Sequence, residues 1–148
     1  MKILKIQALR GPNIWSVQRK KLIQMRLDLE EMEQFPTNKI EGFRERIEAM
    51  FPTMIEHRCS EGCRGGFFSR VERGTWMGHV IEHIALEIQT LAGMETGFGR
   101  TRETKTPGVY NVVFSYTEEN VGLFAAESAV AIAESLIAGT EYDVEADI

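Results

Sequence analysis

Between Trp76 and Ala92 the apolar residues Met77, Val80, Ile81, Ile84, Ala85, Ile88 and Leu91 recur at helical spacing, which predicts an amphipathic helix with that stripe buried. His79, Glu82, His83, Glu87 and Thr90 fall on the opposite side, so the pattern turns the histidines away from the core. Thr75 is placed to cap the start and Gly93 to follow the end, while Leu86 breaks the pattern by falling among the polar residues. A second long run from Thr117 to Ala138 reads as a helix, with Thr117 at the cap, Glu118 and Glu119 in the first turn and Gly139 beyond the end. A shorter helix is predicted from Gly42 to Phe51 by the spacing of Phe43, Ile47, Met50 and Phe51, with Pro52 closing it. A glycine-rich loop, Cys59 to Phe68, then leads to a helical turn over Phe67 to Arg73.

Strand patterning fills the remaining positions. Ile3 to Leu9 and Gln24 to Glu30 read as strands, the second alternating Met25, Leu27 and Leu29 with Arg26, Asp28 and Glu30. Gly97 to Thr104 and Val109 to Tyr116 are β-type runs separated by Lys105-Thr106-Pro107-Gly108, which predicts a hairpin. The expected class is α+β: a small mixed or antiparallel sheet packed with several helices, in a single domain over 1–148. No internal repeat or low-complexity linker interrupts it, and the acidic tail from Glu141 to Ile148 reads as the exit from the domain.

Composition narrows the setting. With 148 residues, 43% of them apolar, the chain can bury a core without a disulfide or metal staple. A net charge of −5 argues against a nucleic-acid surface, despite local Arg and Lys clusters around 19–21 and 58–73, and suits a cationic substrate better. No signal peptide is recognisable and no apolar run approaches a membrane span, so a cytoplasmic protein without membrane contact is expected. Cys59 and Cys63 fit reduced thiols in that compartment. A His57-Cys59-Cys63 metal cluster would lack a fourth soft ligand.

The candidate chemistry lies in His79-Val80-Ile81-Glu82-His83, an H-x-x-E-H motif. Helical spacing sets the two imidazoles one turn apart with Glu82 beside them. Two neutral imidazoles can hold Zn²⁺ while the carboxylate takes a proton from an activated water, the inverted counterpart of the H-E-x-x-H peptidase helix. The competing explanation is an ordinary surface cluster, worth about 0.2–0.5 kcal/mol per pair. Catalytic zinc usually has three protein ligands. Glu87 is too far along the helix to join both histidines and is better placed to orient His83 from behind. In H-x-x-E-H enzymes the last ligand is often a glutamate on a later helix, which favours Glu119 over Glu118 and Glu127, although the helix dipole alone also explains acidic residues there.

Several longer stretches carry a resemblance. Leu9-Arg10-Gly11-Pro12-Asn13-Ile14-Trp15-Ser16, Met25-Arg26-Leu27-Asp28-Leu29-Glu30, Gly78 to His83, and Gly97 to Thr104 resemble, in order, the N-terminal domain of cyanophycin synthetase. The resemblance covers nearly the whole chain. It implies an enzyme that builds cyanophycin, a poly-aspartate backbone with arginine joined to each side-chain carboxylate. It also implies that the ATP- and magnesium-dependent ligase domains, ATP-grasp and Mur-ligase-like, lie outside this chain, and that the full-length enzyme is a homo-oligomer. For members retaining H-x-x-E-H, it suggests cutting of the polymer to generate primers. Expected partners are the polymer and the remaining domains. Zinc on His79, His83 and Glu119 with Glu82 as base would serve that cutting, and Arg100 and Arg102 could receive aspartyl carboxylates. The alternative is a non-catalytic module that tethers the polymer near the ligase sites.

Overall fold

A computed structural model describes residues 1–16, 18, 21–57, 62–95 and 97–140. Strands β1 (Lys2–Leu9), β2 (Leu22–Asp28), β3 (Gly99–Glu103) and β4 (Val109–Ser115) form one sheet in the order β1-β2-β4-β3. Every pairing is antiparallel, so the expected α+β class holds and the sheet is of the antiparallel kind. Helices α1 (Phe43–Met50), α2 (Gly66–Arg73), α3 (Met77–Leu91) and α4 (Glu119–Ala138) accompany it, with 3₁₀ turns at Glu30–Gln34, Thr37–Lys39 and Pro52–Glu56.

The sheet is apolar on one face because its strands alternate in phase. Ile23, Met25 and Leu27 of β2 pair with Phe114, Val112 and Tyr110 of β4, and all six are buried. The second strand begins at Leu22 and ends at Asp28, two residues before the expected bounds. Asp28 Oδ1 accepts the Glu30 N–H, and Glu30 adopts φ 53°, which turns the chain out of the sheet while Leu29 stays buried. The expected hairpin is the β3–β4 pair, running from Gly99 opposite Phe114 to Glu103 opposite Tyr110.

The two long helices divide the inner face between them. α3 packs on β3 and β4, α4 packs on β1 and β2, and the helices pack on each other. α1, α2 and the 3₁₀ turns close the far side through Phe43, Ile47, Phe51, Met54 and Phe67. By length and composition α4 could cross a bilayer, contrary to the expectation that no apolar run approaches a span, yet half of its apolar window is buried inside the domain. Ala125, Ala129, Ile132 and Leu136 spend that apolarity on the core.

Helix ends depart from expectation. The residue capping α3 is Trp76, without a side-chain bond, while the Thr75 N–H binds Thr37 Oγ1. Glu118 precedes α4, and Thr117 Oγ1 donates instead to the Glu95 carbonyl. The Thr75 hydroxyl is taken by His79 Nδ1. Gly93 and Gly139 do follow their helices in left-handed conformation, φ 86° and 74°. The acidic tail 141–148 lies outside the described residues.

Candidate active site

α3 is not half-exposed. The expected apolar stripe is buried except for Leu91 at the helix end, but Glu82, His83, Glu87 and Gln89 on the other side are buried too. The sheet and α4 cover one flank of the helix, and Phe67 of α2 and Thr53 of the Pro52–Glu56 turn reach the other. Phe67 of α2 stacks on His83 with centroids 4.4 Å apart and meets His79 edge-on at 5.8 Å. The motif therefore lies in a cleft of about 780 Å³ with His57, His79, Glu82 and His83 among its lining residues. Leu86, the residue that broke the sequence pattern, lines the same cleft.

Hydrogen bonds orient the rings. Thr53 Oγ1 donates to Glu87 Oε1 at 2.6 Å, Glu87 Oε2 meets His57 Nε2 at 2.7 Å, and His57 Nδ1 meets His83 Nδ1 at 2.8 Å. An ionised Glu87 takes the His57 Nε2–H, and the tautomer that satisfies both contacts has His57 Nδ1 accepting the His83 Nδ1–H. The lone pair of His83 is then on Nε2, 3.8 Å from Glu82 Oε2. His79 Nδ1 is engaged by Thr75 Oγ1 at 3.1 Å. On the sheet side, Thr101 Oγ1 donates to Glu82 Oε1 at 2.7 Å.

Burial sets the protonation of the group. It pushes His79 down to about 4, with the charge of Arg70 adding to the effect. It holds His83 well below its ordinary value, reinforced by His79 and His57. Both imidazoles are neutral at pH 7, the form that binds metal. Burial pushes Glu82 the other way, up to about 7, against the Thr101 hydrogen bond and the charge of Arg102. Burial would also raise Glu87, but its bonds to His57 and Thr53 outweigh that and hold it below its ordinary value. A carboxyl near 7 beside a neutral imidazole is poised to accept and return a proton at physiological pH.

Close approach of β3 to α3 depends on two glycines. A Cβ on Gly99 would come within 2.5 Å of Glu82 Oε2, and one on Gly78 within 3.0 Å of Thr101 Cγ2. Neither close approach follows from the sequence pattern, although both glycines fall inside expected elements.

The structure sorts the expected site residues. His79, Glu82 and His83 come together, and Arg100 and Arg102 line the same cleft. Arg100 Nη1 donates to the Trp15 carbonyl at 3.2 Å, and Arg102 Nη1 to the Thr101 carbonyl at 3.1 Å. Glu119 does not join them: it is held by Arg10 through bonds of 2.6 and 2.8 Å and does not line the cleft. The reason is architectural, since α4 covers the β1–β2 half of the sheet and the motif faces β3. Glu87 orients His83 only through His57, which sequence reasoning had weighed solely with the cysteines. Of the His57-Cys59-Cys63 cluster, disfavoured from the sequence for want of a fourth soft ligand, His57 bonds Glu87 and His83, Cys63 is an exposed free thiol, and Cys59 lies outside the described residues. Among the described residues no three His, Cys, Asp or Glu side chains converge to hold one metal ion. The donor chemistry of His79 and His83 suits zinc, and the described residues leave its third protein ligand unassigned.

An α+β domain whose H-x-x-E-H helix lies beside the edge strand of an antiparallel sheet is thus the class defined by fold and site. The chain belongs to the family described as the cyanophycin synthase-like N-terminal domain, whose model matches residues 24–138. It is 57% identical over 145 residues to a cyanophycin synthetase of Geminocystis herdmanii, covering 98% of this chain and 17% of that protein. Over 144 residues it is 55% identical to a cyanophycin synthetase of a Synechocystis strain, covering 97% of this chain and 16% of the relative. A Crocosphaera subtropica cyanophycin synthetase is 53% identical over 145 residues, with 98% and 17% covered. The chain therefore spans about one sixth of the length of these relatives.

Proposed function

We propose that this domain is a zinc-dependent hydrolase that cuts the main chain of cyanophycin and so generates short primers for a ligase carried elsewhere in the full-length protein. The observation that carries this reading is the grouping of Glu82 with His79 and His83 in one cleft, where Glu82 Oε2 lies 3.8 Å from His83 Nε2 and burial raises its carboxyl to about 7. His79 and His83 would hold the ion through ring nitrogens whose opposite Nδ1 atoms are already bonded, to Thr75 and His57. Bound there, zinc supplies Lewis-acid activation of a water and of the scissile carbonyl. Glu82 takes the proton of the attacking water as the new C–O bond forms. It then delivers that proton to the leaving amine as the C–N bond breaks. Thr101 holds the second carboxylate oxygen and fixes the direction of transfer. Phe67 and Leu86 furnish the apolar side of the site.

A second reading, a non-catalytic module that tethers the polymer, is favoured by the lining charges. Arg70, Arg100 and Arg102 share the cleft with Glu56 and Glu103, a mixture suited to a polymer with both carboxylate and guanidinium ends. The two readings separate in one experiment on the purified chain: metal content together with release of small fragments from cyanophycin without ATP. Stoichiometric zinc with cleavage supports the hydrolase. Polymer binding without metal or cleavage leaves the tether.

A further inference from the structure

The site has a wall that the catalytic reading does not use. β3 pairs only with β4, and Gly97, Gly99, Arg100, Thr101, Arg102 and Glu103 all line the cleft. Hydrogen-bond parity identifies which backbone groups face it. The Ser115 N–H binds the Phe98 carbonyl at 2.9 Å and the Thr104 N–H binds the Val109 carbonyl at 3.0 Å. With Arg100 opposite Val113 and Arg102 opposite Asn111, the bonded positions are Phe98, Arg100, Arg102 and Thr104. Gly99, Thr101 and Glu103 therefore turn their N–H and C=O groups outward. Among the described residues no backbone group pairs with them, and only the Arg102 side chain reaches the Thr101 carbonyl.

We propose that an extended peptide main chain adds to this free edge of β3 as a fifth strand, which carries its scissile bond across Glu82 and the two histidines. The proposal rests on the reading above that the substrate is a peptide backbone. Three observations favour this edge as the docking line. Glu82 lies so close to Gly99 that no Cβ fits between them, so a strand paired with Gly99 runs directly beside the proposed base. The β3–β4 register is unbroken, whereas the opposite edge, β1, carries Lys2 and Lys5 and a register shift between Ile3 and Lys5, features that discourage strand addition. The cleft walls also bear both charge signs, Arg70 and Arg102 against Glu56 and Glu103, which suits a polymer whose every arginyl substituent carries a carboxylate and a guanidinium. From Gly99 to Glu103 the edge is roughly 13 Å long, enough for four to five substrate residues.

The test measures binding without cleavage. In the Glu82→Gln chain, a fluorescent five-residue poly-α-aspartate segment with arginine on every side chain is titrated against Glu103→Ala and Glu103→Pro variants. Proline at Glu103 removes only an outward-facing N–H and leaves the β4 ladder intact, as edge strands tolerate. Alanine controls for the lost carboxylate. The Glu103→Pro variant is expected to bind at least about tenfold more weakly than Glu103→Ala, with an unchanged circular dichroism spectrum. A second measurement uses the Glu82→Gln chain with no further change and segments N-methylated at single amides. Affinity should fall with a two-residue period along the segment. Equal binding by both Glu103 variants, a uniform N-methyl profile, or no binding of the segment overturns the proposal. Neither measurement needs metal or turnover, so a domain that fails to cleave can still show edge pairing, and one that cleaves can still fail to show it.

Discussion

Glu82 concentrates the residue-scale chemistry, and its environment makes two signed predictions. Replacing it with Gln keeps the Thr101 hydrogen bond and the shape of the site but removes proton acceptance. Cleavage should then fall about 10²-fold or more with zinc content unchanged, measured by fragment release and metal analysis. The second prediction concerns the metal-free chain. The folded value of Glu82, about 7, lies above the ordinary 4.5, so its contribution to stability is present at low pH and lost as pH rises from 4.5 to about 7. His79 works in the opposite sense: its folded value of about 4 lies below 6.5, so its contribution is present above 6.5 and lost as pH falls toward 4. His83 shifts in the same direction as His79. Melting temperatures in chelator should therefore show Glu82→Gln gaining on the parent as pH rises through 4.5 to 7, with a constant gap above. A variant that loses ground to the parent as pH rises contradicts the buried-carboxylate picture. His83→Ala should abolish zinc binding and also cost about 1 kcal/mol in urea unfolding, because the half-buried His57 loses the group that satisfies its Nδ1.

At the scale of elements, the docking of α4 depends on Gly122. A Cβ there would lie 2.8 Å from Tyr116 Cβ and 3.1 Å from Ile23 Cγ1. Glycine to alanine inside a helix normally stabilises by about 1 kcal/mol, but overpacking a closed contact costs about 1–3 kcal/mol. The second effect should win, and Gly122→Ala is expected to unfold at lower denaturant than the parent. The other end of α4 is held by Arg46 of α1, whose Nε donates to the Leu136 carbonyl at 2.7 Å and Nη1 to the Glu41 carbonyl at 2.9 Å. Periodicity located both long helices well because an apolar stripe is a local property. Their capping residues were misassigned because the hydroxyls that would cap are engaged elsewhere, Thr75 Oγ1 with His79 Nδ1 one turn into the helix and Thr117 Oγ1 with the distant Glu95 carbonyl.

For the whole molecule, the proposed role concerns a polymer longer than the cleft and a protein longer than this chain. In a full-length synthetase, Glu82→Gln should abolish synthesis begun without added polymer while extension of supplied short segments continues, as scored by polymer yield with and without primer. Equal failure under both conditions would assign the motif to substrate holding or to the fold. What the sequence determined by itself was local and periodic: the four strand segments, the positions of the four helices, and the pair His79 and His83 one turn apart with Glu82 between them in sequence. Those follow from spacings of two and of three to four residues. The tertiary structure alone decided what surrounds the motif. It buried a helix side that its polarity marked as exposed, because α2 folds over it and Phe67 stacks on His83. It brought His57 to His83 and left Glu119 with Arg10, because α3 and α4 cover opposite halves of one sheet. Burial and long-range pairing then set the protonation of each group, and neither is written in the spacing of residues along the chain.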